Sequence, residues 1–180
     1  VGQVAGDSFA AFSLDDELAQ IPEALNATVK QVDKAVSRAL ISTARWIKTR
    51  VVREMSIEFG LKLKAVRQRV FVSTNKVKSK RIAKIWLGLN PIDAMAAKKV
   101  VETESGVLSG DHFFAGAFMA SIRQGSSVRV YKRTGSQRFP VNKQLIPLSG
   151  REMEIANKFS KMAETKFRDE LSRQFKQIRI

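Results

Sequence analysis

Residues 115–148, AGAFMASIRQGSSVRVYKRTGSQRFPVNKQLIPL, decide the fold. An apolar run, Phe118-Met119-Ala120-Ser121-Ile122, opens the stretch, and Gly125-Ser126 breaks it. Val128-Arg129-Val130-Tyr131 then follows with the period of two that marks a strand. Gly135-Ser136 turns the chain again, Phe139-Pro140-Val141 restarts it, and a last strand over 143–146 is closed by Pro147. Strands separated by short Gly-containing breaks predict an antiparallel hairpin. Between residues 126 and 150 every charge is positive: Arg129, Lys132, Arg133, Arg138 and Lys143. The stretch therefore predicts a small sheet with a basic edge or face.

On the N-terminal side, Leu25, Val29, Val32, Val36, Leu40, Ala44, Ile47, Val51 and Met55 recur at three and four, one apolar stripe of a long helix that Gly60 ends. Its cations Lys30, Lys34, Arg38, Arg45, Lys48 and Arg53 lie mostly off that stripe. Residues 61–70 predict a shorter basic helix. Residues 73–80, STNKVKSK, predict a polar loop whose Lys76, Lys78 and Lys80, with Arg81 after it, are candidate interaction residues. Residues 81–89 carry apolar residues on both alternating sets, as a covered strand does. Residues 92–104 have helix-favouring composition and read equally as an irregular insertion. Gly106–Gly110 predicts a short strand or turn. Ser149, with Glu152 three residues on, has capping-box spacing. After it Ala156, Phe159, Ala163, Phe167, Leu171, Phe175 and Ile178 predict a second long helix. The fold class is α+β: a small antiparallel β-sheet packed with a long N-terminal and a long C-terminal helix. Residues 1–24 form an acidic arm with a short helix, and 25–180 one domain. Phe9 and Phe12 in the arm suit either another subunit or the chain's own core.

The chain has 180 residues, a net charge of +15, one His and no Cys. Disulfides and thiol catalysis are excluded, and a zinc site is not expected. No apolar run approaches the ~18 residues of a transmembrane helix, so no membrane partner is expected. The charge is uneven: −5 over residues 1–25 and +13 over residues 26–90. Such a body attracts polyanions. It suits equally a solvated face or an acidic neighbouring subunit. His112 stands beside Asp111 and near Ser109, but neighbours in a strand point to opposite faces, so Asp111 cannot orient His112 there. No Walker, dinucleotide or nucleophile-elbow pattern occurs. No catalytic residue, cofactor or metal is assigned.

Ile85-Trp86-Leu87-Gly88-Leu89-Asn90-Pro91-Ile92, Gly106-Val107-Leu108-Ser109-Gly110 and His112-Phe113-Phe114-Ala115-Gly116-Ala117-Phe118 resemble the minor tail protein Z family of phages and prophages. Val130-Tyr131-Lys132-Arg133-Thr134-Gly135, Arg138-Phe139-Pro140-Val141 and Pro147 are similar to the C-terminal half of that family. These are turn glycines, prolines and strand residues, so they argue a shared fold, not a shared chemistry. The resemblance implies a non-enzymatic virion protein acting in tail completion and head–tail joining at the head-proximal end of the tail. It also implies a homo-oligomer, by analogy a ring, that contacts other tail or connector proteins and is made in the bacterial cytoplasm. Non-specific contact with DNA is expected through the basic residues of 76–81 and of the hairpin. A basic DNA-binding protein acting outside the virion is the alternative.

Overall fold

The computed structural model describes residues 8–10, 28–77, 80–122, 124–148 and 150–178. The long helix, α1 (Val29–Glu58), is opened by a device in its own sequence. The Thr28 amide donates to Gln31 Oε1 at 2.8 Å, and the Gln31 amide donates to Thr28 Oγ1 at 3.4 Å. This is a reciprocal capping box. The predicted stripe is buried from Val32 to Met55, whereas Val29 is exposed. At the other end the Gly60 amide donates to Ile57 O and the Leu61 amide to Ser56 O, with Gly60 at φ 57°. That is a Schellman closure, and the left-handed backbone it needs is why a glycine stands there. At 1.5 Å per residue α1 is about 45 Å long.

Beyond the Gly60 turn lie α2 (Leu63–Arg67), β2 (Val70–Val77), β3 (Lys80–Leu87) and β4 (Ile92–Asp93). A 3-10 turn (Ala94–Ala96) leads into β5 (Val100–Thr103), β6 (Gly106–Ser109), β7 (His112–Ala115) and β8 (Ala117–Ala120). The chain continues through β9 (Arg129–Arg133), β10 (Val141–Lys143), β11 (Leu145–Ile146), α3 (Arg151–Ser160) and α4 (Ala163–Ile178). Upstream of all these, Ser8–Ala10 forms β1. Among the described residues every pairing is antiparallel, and the strands make four small sheets ordered β1-β3-β2, β10-β9-β8, β11-β4 and β5-β6-β7. The class is α+β, as the sequence predicts.

The residues fall into two compact units. One takes Val52–Arg69 and Leu89–Glu152; the other takes the described parts of Gly6–Val51, Val70–Gly88 and Met153–Ile180. In the second unit, Val32, Val36, Ala39, Leu40 and Ala44 of α1 meet Phe167 and Leu171 of α4 and Ala83 of β3. Val72, Ile85 and Phe175 pack against this cluster. Trp46 and Phe159 add an edge-on ring pair at 6.3 Å, the geometry that ring quadrupoles favour. In the first unit Met55, Leu61, Val66, Val107, Val130 and Ile146 are fully buried. The predicted central hairpin is there as three strands, with Met119 opposite Val130 and Lys143 opposite Tyr131.

Three expectations are corrected. Residues 73–77 and 80 are not loop but strand, in register from Ser73 opposite Lys84 to Val77 opposite Lys80. The outer part of this ribbon has polar residues on both faces, so no apolar alternation announces it. Residues 92–104 are neither helix nor loop throughout; Asp93 caps the 3-10 turn and Val100–Thr103 pair with β6. The C-terminal helix is broken at residues 161–162, where the Met162 amide donates to the Phe159 carbonyl. That three-residue closure tightens the turn, and the apolar stripe resumes at Ala163. The short helix expected in the acidic arm and the Ser149 cap lie outside the described residues. Phe9 of the arm lies in β1, opposite Trp86 in the chain's own sheet.

Candidate interaction surfaces

The hairpin cations divide into two groups. Arg129, from β9, and Lys143, from β10, both reach the Asp93 carboxylate, Lys143 at 2.8 Å. Asp93 also accepts from the Met95 amide at 2.9 Å. Partial burial alone would raise its pKa. The hydrogen bonds from Lys143 and Met95 and the charges of Lys143 and Arg129 outweigh that and hold it below its ordinary 3.8. Arg129 and Lys143 therefore serve an internal ion cluster. The other three cations are exposed. Arg133 lies 5.2 Å from the Phe118 ring centre and donates to the Arg138 carbonyl at 3.0 Å. Arg138 lies 5.8 Å from the ring centre of Phe139, itself exposed. Lys132 is opposite Ala117 on β8 and Asn142 on β10. Lys76 and Arg81 face each other across the β2–β3 ribbon and Lys80 faces Val77, so these three sit on strands near its tip and not in a loop. Lys78 lies outside the described residues.

Two cations of the 61–70 segment also have structural duties. Lys62 Nζ donates to the Met95 carbonyl at 2.8 Å. Arg69 forks onto the carbonyls of Asn90 and Pro91, each at 3.1 Å. The sequence predicts this segment as a short basic helix. Half of its positive charge staples the chain at residues 90–95.

His112 is exposed on β7, and Ser109 stands directly opposite it on β6. The Ser109 hydroxyl is buried and donates to the Ala94 carbonyl, so it is tied to the backbone.

The structure shows two further surfaces. The first is apolar. Register puts Val101 opposite Leu108, and Leu108 opposite Phe113, in one row across β5, β6 and β7. All three are exposed, Phe113 by 52%. Residues opposite one another on neighbouring strands share a face. Thr103, Gly106 and Ala115 form the next row on that face. A contiguous apolar sheet face of this kind marks a contact surface more often than a lone exposed side chain does.

The second is basic and runs along α1. At 100° per residue, Lys30, Lys34, Arg38, Arg45 and Lys48 fall within an arc of about 80°. The ridge they form is about 27 Å long at 1.5 Å per residue. The first four are exposed. Lys48 is half-buried and lies 5.9 Å from the centre of the Phe71 ring. The ridge is locally unfavourable. Like charges four residues apart cost about 0.2–0.5 kcal/mol per pair, and Lys30 adds a cation to the positive end of the helix dipole. Beside the ridge is an open groove lined by Gln31, Lys34, Arg38, Gln174 and Gln177, with Ala35 and Ile178 as its apolar part. Among the described residues, no carboxylate lines it. The sequence signal for the ridge is the four-residue spacing of Lys30, Lys34 and Arg38; that α4 brings two amides beside them is a tertiary fact.

No described helix is long and apolar enough to cross a membrane. No curated protein and no solved structure matches the chain. The family model of prophage minor tail protein Z matches residues 18–179. That span takes in α1, all four sheets apart from β1, and both C-terminal helices. The chain therefore belongs to the prophage minor tail protein Z family, structural proteins of the phage tail.

Proposed function

We propose that this chain completes the tail at its head-proximal end and takes part in joining head to tail, working as an oligomer, by analogy a ring. Its partners are further copies of itself and the neighbouring tail or connector proteins, and it is made in the host cytoplasm before it enters the virion. No catalytic role is assigned to it. The observation that carries this reading is the family match over nearly the whole chain. The exposed row Val101–Leu108–Phe113 supports it physically, since an isolated subunit gains nothing by leaving such a face in water. The net charge of +15 supports non-specific contact with the DNA that passes the tail end, through Lys132, Arg133 and Arg138 and the cations at 76–81. The acidic arm, residues 1–24, is proposed to reach the basic body of its own or a neighbouring chain.

The test is reconstitution. Tails assembled without this protein are mixed with filled heads, with and without the purified chain, and joined particles are counted by negative-stain microscopy. Joining that depends on the added chain supports the proposal; equal joining without it refutes it. The charge also favours a basic DNA-binding protein acting outside the virion. That reading predicts tight duplex binding by the free protein and its absence from purified particles.

A further inference from the structure

We infer that the basic ridge of α1 is the seat of duplex DNA, and that the groove beside it holds one backbone phosphate. The inference deepens the DNA contact proposed above, on which it rests, and adds the α1 ridge to the residues that make it. Four observations on the ridge carry it.

Lys30, Lys34, Arg38 and Arg45 are exposed and make no ion pair with any described residue. By contrast, Arg129, Lys143, Lys166, Arg168 and Arg173 all have carboxylate partners. The ridge cations at 30, 34 and 38 advance by about 6 Å each along the helix axis. Duplex DNA carries one negative charge per ~1.7 Å of its axis, so a row of cations about 12 Å long lies against several phosphates. The groove donors are of two kinds that together suit a phosphate oxygen. Lys34 and Arg38 bring charge, while Gln174 and Gln177 from α4 bring neutral N–H donors. Gln31 contributes in the same way. Its Oε1 is taken by the Thr28 amide and hydroxyl, which leaves its amide NH2 group to donate. Finally, the ridge repels itself along its length, and a bound polyanion relieves that repulsion.

Only a part of the net charge is involved, and this separates the inference from a general attraction. Each neutralised phosphate contributes roughly 0.9 to the slope of log affinity against log salt. Lys34→Gln with Arg38→Gln should therefore flatten that slope by about 1.8, and at about 0.1 M salt should weaken binding roughly 60-fold. The matched control is Lys98→Gln with Lys99→Gln, which removes the same charge from two exposed residues of the other compact unit.

The experiment is fluorescence anisotropy of a labelled duplex with the full chain and both double variants across a salt series. Circular dichroism of each variant confirms the helices. The expected result is a flattened slope and weakened binding in the ridge variant only. Equal effects of the two variants would overturn the inference by reducing it to net charge. An unaltered ridge variant, with the wild type still binding, would overturn it while leaving DNA contact elsewhere intact. A wild type that holds no duplex, including one that holds only a peptide of residues 1–25, would overturn both this inference and the DNA contact it rests on. The tail-end position is read separately, from virions.

Discussion

Replacing Asp93 by Asn tests the ion cluster that ties β4 to the central hairpin. The amide keeps the shape of the side chain, and its Oδ1 still accepts from the Met95 backbone. What it loses is the charge on which Arg129 and Lys143 converge. Asp93 is 21% exposed, and its partners are 39% and 38% exposed. A hydrogen bond to a charged group contributes about 1.5–3 kcal/mol, but solvent reduces exposed pairs to about 0–1 kcal/mol. With both cations more than a third exposed, the pair together is worth about 1–2 kcal/mol. Asp93→Ala also removes the cap and should add about 1 kcal/mol to that loss. The pH dependence has a fixed sign. A carboxylate whose folded pKa lies below its unfolded value contributes stability above the unfolded value, ordinarily 3.8 here, and loses it as pH falls through the folded one. Urea unfolding followed by far-ultraviolet circular dichroism is the assay. At neutral pH Asp93→Asn should unfold at lower urea than the wild type, and in strong acid the two should converge. Equal midpoints at neutral pH, or a gap that persists in acid, would refute the reasoning.

Other expectations concern packing and assembly. Glu170 is nearly buried and is held below its ordinary 4.5, first by the Lys166 hydrogen bond against the opposing pull of burial, then by the charge of Lys166, the Ser42 hydrogen bond and Arg173. The wild type should thus lose a second increment of stability, one that Glu170→Gln lacks, as pH falls from the ordinary 4.5 through the lowered folded value; acid titration followed by Trp fluorescence would show it. Phe167→Ala removes the largest fully buried side chain among the described residues and should cost about 3–5 kcal/mol in urea unfolding. Gly106→Ala would set its methyl group against the Phe114 carbonyl and 3.0 Å from Ala115 Cα, across the β6–β7 pair. It should cost more than about 1 kcal/mol, whereas the same change at a freely accommodating glycine is mildly stabilising. Leu108→Ser with Phe113→Ser should keep the fold, as far-ultraviolet circular dichroism would show, yet reduce incorporation into tails, scored by blotting purified particles. Deleting residues 1–24 should weaken oligomer formation, read by light scattering.

Local pattern carried most of the helices and the central strands. The stripe from Val32 to Met55, the Gly60 stop and the alternation around Val130 each state their structure within a few residues, because burial of one face repeats at the element's own period. The failures have a common physical origin. Residues 73–77 are polar at four of five positions, so no apolar period marks them. The break at 161–162 carries no Gly or Pro and comes from a single tightened turn. Residues 100–103 become a strand because β6 and β7 are there to pair with, and composition at 92–104 does not report a distant partner. The sites divide in the same way. Lys30, Lys34 and Arg38 are visible as a spacing, whereas no local pattern tells that Arg129 and Lys143 are held by Asp93, or that Val101, Leu108 and Phe113 share a row. Both depend on register between segments up to 50 residues apart.

The central claim is a place in the virion, and the most direct measurement is immunogold electron microscopy of particles carrying this chain, with heads detached from tails. The account predicts gold at the exposed head-proximal end of the tail. Gold at the distal tip, or particles without label while the protein is abundant in the producing cells, would contradict it.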